Sequence, residues 1–306
     1  MHLQQRITYG RGEFLLFALT PPRASTSPER AEEISALTLE RLRPLDVDGL
    51  ILYDIEDEAD RNPEERPFPF LPTMDPAYYL DHHLKTWQKP VVVYRATAKY
   101  TEQQLRDWIG SQDADRRLSV FVGASSGEKH VATTLRRAQQ IRAEVNPELL
   151  LGAVAIPERH ARKGDEHLRL IAKQEAGCSY FVTQVVYDVN AAKNLISDYA
   201  CECQARGLNP VPIVFTSSVC GSMRTLEFLR WLGVDVPRWI ENDLRHARST
   251  LDASVEHAEA TLVELMSFCR RLNVPFGISI ESVSIRKVEI EASVRLAERI
   301  RGCLQR

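Results

Sequence analysis

Short apolar runs recur along the chain, and each is followed by an amphipathic segment that opens on a capping residue. Phe14–Leu19 is the first run. Ser27-Pro28-Glu29 then gives an N-cap with proline at the first helical position. Leu50–Tyr53 is the second, and Asp75-Pro76 opens the next helix by the same device. Val91–Tyr94 is a β-branched third run, and Thr101-Glu102-Gln103-Gln104 after it fits a capping box. Leu118–Val122 leads into the small, polar Gly123-Ala124-Ser125-Ser126-Gly127 and a helix near Val131–Val145. Leu149–Ala155 precedes a helix over Asp165–Glu175, and Tyr180–Val186 precedes one capped by Asp188. Val211–Phe215 is followed by a helix near Ser222–Leu232, with Gly233 as its stop. Further helix follows over Pro237–Leu272. Phe276–Ile280 is the eighth run, and Ser284–Arg301 reads as the last helix.

Eight strand–helix units in alternation predict a parallel sheet, and eight is the number that closes a (β/α)8 TIM barrel. An open doubly wound sheet is the other arrangement of such units, but no GxGxxG follows any strand. No linker or repeat divides the 306 residues, so the reading is one α/β barrel domain over 1–306. It carries a long acidic, then proline-rich loop over 54–75 and a helical insertion over 237–272.

Composition narrows the function classes. Hydrophobic residues at 44% and charged residues at 26% are those of an ordinary globular protein, and a net charge of -3 argues against nucleic acid or an anionic membrane as partner. No apolar run approaches the roughly 20 residues that span a bilayer, and Phe14–Leu19 is too short for a signal core, so the expectation is a cytoplasmic protein. The six cysteines form no CxxC pair and read as reduced thiols.

In barrels of this kind the chemistry sits at the C-terminal strand ends. Five carboxylates fall there: Asp54, Glu56, Glu158, Asp188 and Glu281. Each could equally cap a helix or sit in solvent, and Asp188 is the one most simply explained by capping. His160 is the only histidine among these positions and has no partner at metal-ligand spacing, so no metal is expected. Gly123–Gly127 could cradle a phosphate on its N–H groups or form a plain tight turn. Arg169 and Lys173 stand one turn apart on one helix face, as a phosphate site or as solvated surface.

Ala155-Ile156-Pro157-Glu158-Arg159-His160, the helix from Asp165 to Gly177, and Thr183-Gln184-Val185-Val186-Tyr187-Asp188 resemble the middle of the methylenetetrahydrofolate reductase family. Pro21-Pro22-Arg23 and Val236-Pro237-Arg238-Trp239 are similar to that family's segments at corresponding places. The resemblance implies a barrel of this length that interconverts 5,10-methylenetetrahydrofolate and 5-methyltetrahydrofolate with NAD(P)H through FAD. It implies that Gln184 contacts folate, that Phe228 stacks on its rings, and that Arg224 and Tyr187 complete the substrate set. It places His160, Arg169 and Lys173 along the flavin, with Tyr94, Gly123 and Ser125 in the same cofactor set. A homo-oligomer is compatible with it.

The departures carry as much information. A glutamate that the family holds on its first strand is Ala18 here, and an aspartate at the end of the fourth strand is Ser125. A carboxylate can accept two bonds from adjacent pterin N–H donors, whereas a serine accepts at one oxygen. The expectation is that Glu281, or Asp54 or Glu56 on the long loop, supplies the missing carboxylate, with Glu281 and Gln184 as the catalytic pair. Flavin-free hydride transfer, or a folate-binding subunit without catalysis, are the alternatives.

Overall fold

In the computed structural model, residues 1–57, 62–124 and 130–305 are described. Eight strands close into a barrel in chain order. They are β1 (Phe14–Leu19), β2 (Gly49–Leu52), β3 (Val91–Ala96), β4 (Arg117–Val122), β5 (Leu151–Ala155), β6 (Cys178–Val185), β7 (Ile213–Ser218) and β8 (Phe276–Glu281). Every neighbour pairs in parallel, and β1 pairs with β8, which settles the closed barrel over an open sheet.

Twelve helices accompany the strands among the described residues: α1 (Leu3–Thr8), α2 (Pro28–Leu42), α3 (Pro76–His83), α4 (Glu102–Gly110), α5 (Leu135–Val145), α6 (Pro157–Lys163), α7 (Glu166–Glu175), α8 (Val189–Arg206), α9 (Met223–Trp231), α10 (Arg238–His246), α11 (Thr250–Leu272) and α12 (Lys287–Leu304). The caps read from sequence are present. Ser27 accepts from Arg30 N, Asp75 from Ala77 N and Tyr78 N, and Thr101 with Gln104 forms the capping box.

Two cores follow from the strand period. Residues pointing outward, such as Leu15, Phe17, Val91, Val93, Phe181 and Phe215, pack against the helices. Those pointing inward, Phe14, Leu16, Ala18, Ile51, Val92, Tyr94, Leu118, Val120, Tyr180, Val182 and Val214, fill the interior. Two glycines make room for the largest inward rings: a Cβ on Gly152 would overlap the Tyr180 ring, and one on Gly277 would overlap Phe14. Leu3 and Ile7 of α1 join the inner cluster, and Leu3 approaches Gly49 at the start of β2, so α1 closes the N-terminal end of the barrel.

The chain departs from the sequence reading in three places. The helix expected near Val131 begins at Leu135, with Thr134 as its cap. The stretch 237–272 is two helices, and α11 packs against α8 and α12 as a member of the outer ring rather than as an insertion. The added pieces are therefore α9 and α10, between β7 and α11. A short helix, α6, follows β5 directly, with Pro157 at its first position and left-handed Gly164 as its stop. The described part of the long loop is tied to the segment after β1: Ala24 N donates to the Pro72 carbonyl and Met74 N to the Pro22 carbonyl, both at 2.8 Å.

Candidate active site at the barrel mouth

β1 lies between β8 and β2, and its inward position near the C-terminal end is Ala18, 3% exposed. Tyr53, the residue after β2, and Glu281, the last residue of β8, flank that position. The Tyr53 hydroxyl donates to Glu281 Oε2 at 2.5 Å, so the bond runs from β2 to β8 over the small side chain of Ala18. Tyr94, from β3, meets Tyr53 edge to face with centroids 4.9 Å apart. Burial dominates the electrostatics here. It pushes the Glu281 carboxyl up to about 7, against the opposing pull of the Tyr53 hydrogen bond. Burial also raises both tyrosines, which stay neutral phenols.

Beside Glu281 the mouth is lined with hydroxyls. Thr216 and Ser279 are register partners across β7 and β8, both buried, and Ser279 lies next to the Tyr53 phenol. Thr216 Oγ1 is buried with no hydrogen-bond partner among the described residues. Unpaired buried polar atoms are costly, and a polar ligand edge would relieve them. A buried acid, a phenol and free hydroxyls can hold a ring of donors and acceptors and move one proton to it.

The other expected carboxylates have separate environments. Asp54 is not available as the replacement: its Oδ2 accepts from Ala96 N at 2.9 Å and Tyr100 Oη at 2.8 Å, and its Oδ1 from Lys99 Nζ at 2.5 Å. Glu56 stands half-buried on the loop. Asp188 is the cap of α8, accepting from Asn190 N and Ala191 N. Glu158 is buried at the start of α6, pushed up to about 7 by desolvation, and its Oε2 has no hydrogen-bond partner among the described residues.

The expected folate residues lie on the far side of the mouth. Gln184 continues the inward face of β6, and its Nε2 donates to the Leu232 carbonyl at 3.1 Å, which ties β6 to the end of α9. Phe228 and Arg224, on α9, meet the proline-rich loop. The Arg66 guanidinium lies 5.1 Å from the Phe228 ring centre, and Phe68 packs edge-on to the same ring at 5.4 Å. Arg224 donates to the Pro67 carbonyl at 2.6 Å and sits over Phe68. Trp231 Nε1 donates to the Glu64 carbonyl at 2.9 Å. Residues 64–68 thus cover the Phe228 ring, the face that the family resemblance implied for stacking. Tyr187 is buried, and its hydroxyl donates to the Ser218 carbonyl at 3.1 Å, so it braces β7.

The residues expected along a flavin are held otherwise. Lys173 Nζ donates to the Val154 carbonyl at 2.6 Å and lies 3.8 Å from Glu166. Arg159 meets the same carboxylate at 3.0 Å and Arg169 at 4.0 Å, with Asp165 at 3.2 Å as the second partner of Arg169. Glu166 is fully buried, so these three cations neutralise a carboxylate inside the helix layer. His160 is buried with Nε2 3.1 Å from Asp198 Oδ2, on the side facing α8. Its expected isolation is corrected here, because the fold brings it to His167 and Asp198 across three helices. Of the glycine-rich turn, Gly123 and Ala124 are described, while Ser125 lies outside the described residues. The described residues do not fit FAD in the way the resemblance implied: His160, Arg169 and Lys173 each already have a protein partner.

An eight-stranded parallel barrel with an acid buried at its C-terminal face is an enzyme-type scaffold. The sequence model of the methylenetetrahydrofolate reductase family matches residues 123–275. A solved structure, described as an uncharacterized protein from Clostridium thermocellum that binds two copies of 5-methyl-5,6,7,8-tetrahydrofolic acid, is 44% identical. The match covers 98% of this chain and 99% of that one, with a TM-score of 0.87. The chain belongs to the methylenetetrahydrofolate reductase family. A psychrophilic family 10 endo-β-1,4-xylanase shares the barrel at 8% identity and a TM-score of 0.52, covering 96% of this chain and 98% of its own, which reflects the fold alone. No curated protein matches the chain. Among the described residues no helix is long and apolar enough to cross a membrane.

Proposed function

We propose that the protein binds a reduced folate in the barrel mouth and interconverts 5,10-methylenetetrahydrofolate and 5-methyltetrahydrofolate, with NAD(P)H as the hydride donor. The observation that carries the reading is Glu281: a buried carboxyl, pushed up to about 7 and bonded to Tyr53 directly over Ala18. It offers an acid at the place where the family resemblance puts a glutamate, supplied from the neighbouring strand. The 44% identical folate-binding neighbour supports the substrate class.

In the reductive direction the bond from the bridging carbon to N10 breaks, and N10 must gain a proton as it leaves. The carbon, left as an iminium on N5, accepts the hydride. Glu281 in its neutral form is the proton source, and Tyr53 stabilises the carboxylate that remains. Thr216 and Ser279 supply hydroxyls for the polar edge of the pterin. Because the residues expected to hold a flavin are engaged elsewhere, the hydride passes directly from the nicotinamide to the folate carbon. Substrate entry displaces Arg66 and Phe68 from Phe228, freeing the ring for stacking.

The test is an absorption spectrum of the purified protein beside an NAD(P)H oxidation assay with methylenetetrahydrofolate. A colourless protein that turns over supports the reading. A flavin spectrum with turnover overturns the direct transfer but keeps the substrate. Folate binding without turnover favours a second reading, a non-catalytic folate-binding subunit, for which Ala18 is the specific observation.

A further inference from the structure

We infer that the chain holds a divalent ion of the zinc class between α6, α7 and α8, ligated by His160, His167 and Asp198. The three residues come from three consecutive helices. One ring nitrogen of each histidine and one carboxylate oxygen all lie within 4.8 Å of one another. In a tetrahedral zinc site neighbouring ligand atoms are roughly 3.4 Å apart, given metal–ligand bonds near 2.0–2.1 Å. His160 Nε2 and Asp198 Oδ2 already stand 3.1 Å apart. Only the third ligand must close in, and His167 is partly exposed, on the first turn of α7.

A simple His–Asp pair explains less of what is there. It needs one imidazole, yet the second ring is turned onto the first, edge to face, with centroids 5.3 Å apart. Each of the two rings also keeps a buried Nδ1 with no hydrogen-bond partner among the described residues. Such nitrogens are expensive to bury, and coordination satisfies one of them. His160 is 5% exposed whereas the Asp198 side chain is 54% exposed, so the site has a dry floor and an open side. Two neutral imidazoles and one carboxylate suit zinc, and the open side leaves the fourth position to water. The ion would clamp α6 and α7 to α8, on the outside of the barrel and away from Glu281. This inference is independent of the folate reading.

The experiment uses the full chain, freed of any affinity tag and stripped with a chelator, and titrates it with zinc and with cobalt(II). One equivalent should bind, with the visible bands of four-coordinate cobalt, and the melting temperature should rise with zinc. His167→Ala and Asp198→Asn, both at accessible positions, should each weaken binding about tenfold or more and abolish the cobalt bands. Turnover of the stripped protein should equal that of either variant. Absence of the bands in the wild type, or variants that bind as tightly as the wild type, would overturn the site.

Discussion

Two carboxyls buried in the same barrel are held in opposite ways. Glu166 has three cations around it, Arg159, Arg169 and Lys173, and accepts a backbone bond from Ile156. Among the described residues Glu281 has a phenol and no cation in its hydrogen bonds and ion pairs, and burial pushes it up to about 7. The first arrangement locks a charge in place and ties α6, α7 and β5 together. The second leaves a group whose proton is available near neutral pH. An ion-paired buried carboxylate is a strut, whereas one without an ion pair keeps a proton that it can exchange, and the fold keeps the two on different sides of the strand layer.

The sharpest way to break this contrast is to neutralise each carboxyl in turn. Glu281→Gln keeps the shape and a hydrogen-bonding group but removes the acid, so turnover should fall by about 10²–10⁴-fold while folate affinity changes little. Steady-state kinetics beside a binding titration checks this, and a variant with full turnover would remove Glu281 from the reaction. Glu166→Ala should do the reverse. It leaves three cations partly buried without their counter-charge and should cost about 3 kcal/mol of stability, with activity per folded molecule preserved. Denaturant unfolding measures the first part, and kcat of the folded fraction the second.

The same two groups show how far the sequence could be read. The barrel was legible because strand runs and caps such as Asp75-Pro76 and Thr101–Gln104 are local signals, and they stand where they were expected. Glu281 was legible because it sits at a strand end. Its bond to Tyr53 was not, since it joins residues 228 apart, and no local pattern records that the tyrosine just after β2 reaches over Ala18. Helical spacing alone allows Lys173 and Arg169 to be a phosphate site or solvated surface, but in the fold the same spacing serves Glu166, whose burial is a tertiary property. Likewise His160 looked alone because His167 and Asp198 reach it only after α6, α7 and α8 pack. The covering of Phe228 by Arg66 and Phe68 was hidden for the same reason, although the aromatic and basic residues of that loop were a signal in plain view.

The pH dependence sharpens the contrast next. Glu281 is raised when folded, so the unfolded chain loses this proton first. Its neutral form favours folding fully below the ordinary value near 4.5, and that contribution is lost as pH rises to about 7. Turnover in the reductive direction should therefore decline as pH rises through about 7. Above that range Glu281→Gln should be the more stable protein, by at most about 3 kcal/mol, because it no longer buries a charge. Melting curves of both proteins at pH 6 and 9 would test the sign, and a variant destabilised more at the higher pH would contradict it.

The smallest effect isolates the hydrogen bond. Tyr53 donates to Glu281 and pulls its proton affinity down, against the larger effect of burial. Removing that donor with Tyr53→Phe leaves the carboxylate less well solvated, so Glu281 should hold its proton to higher pH. The alkaline limb of the rate profile should move up by about one pH unit, equivalent to about 1.4 kcal/mol of lost anion stabilisation. Turnover on the acidic plateau should fall modestly, because the carboxylate formed on proton donation loses its partner. Ring contacts with Tyr94 survive the change, so stability should shift little. An unchanged limb would mean that Glu281 titrates without help from Tyr53, and that the bond over Ala18 only fills space.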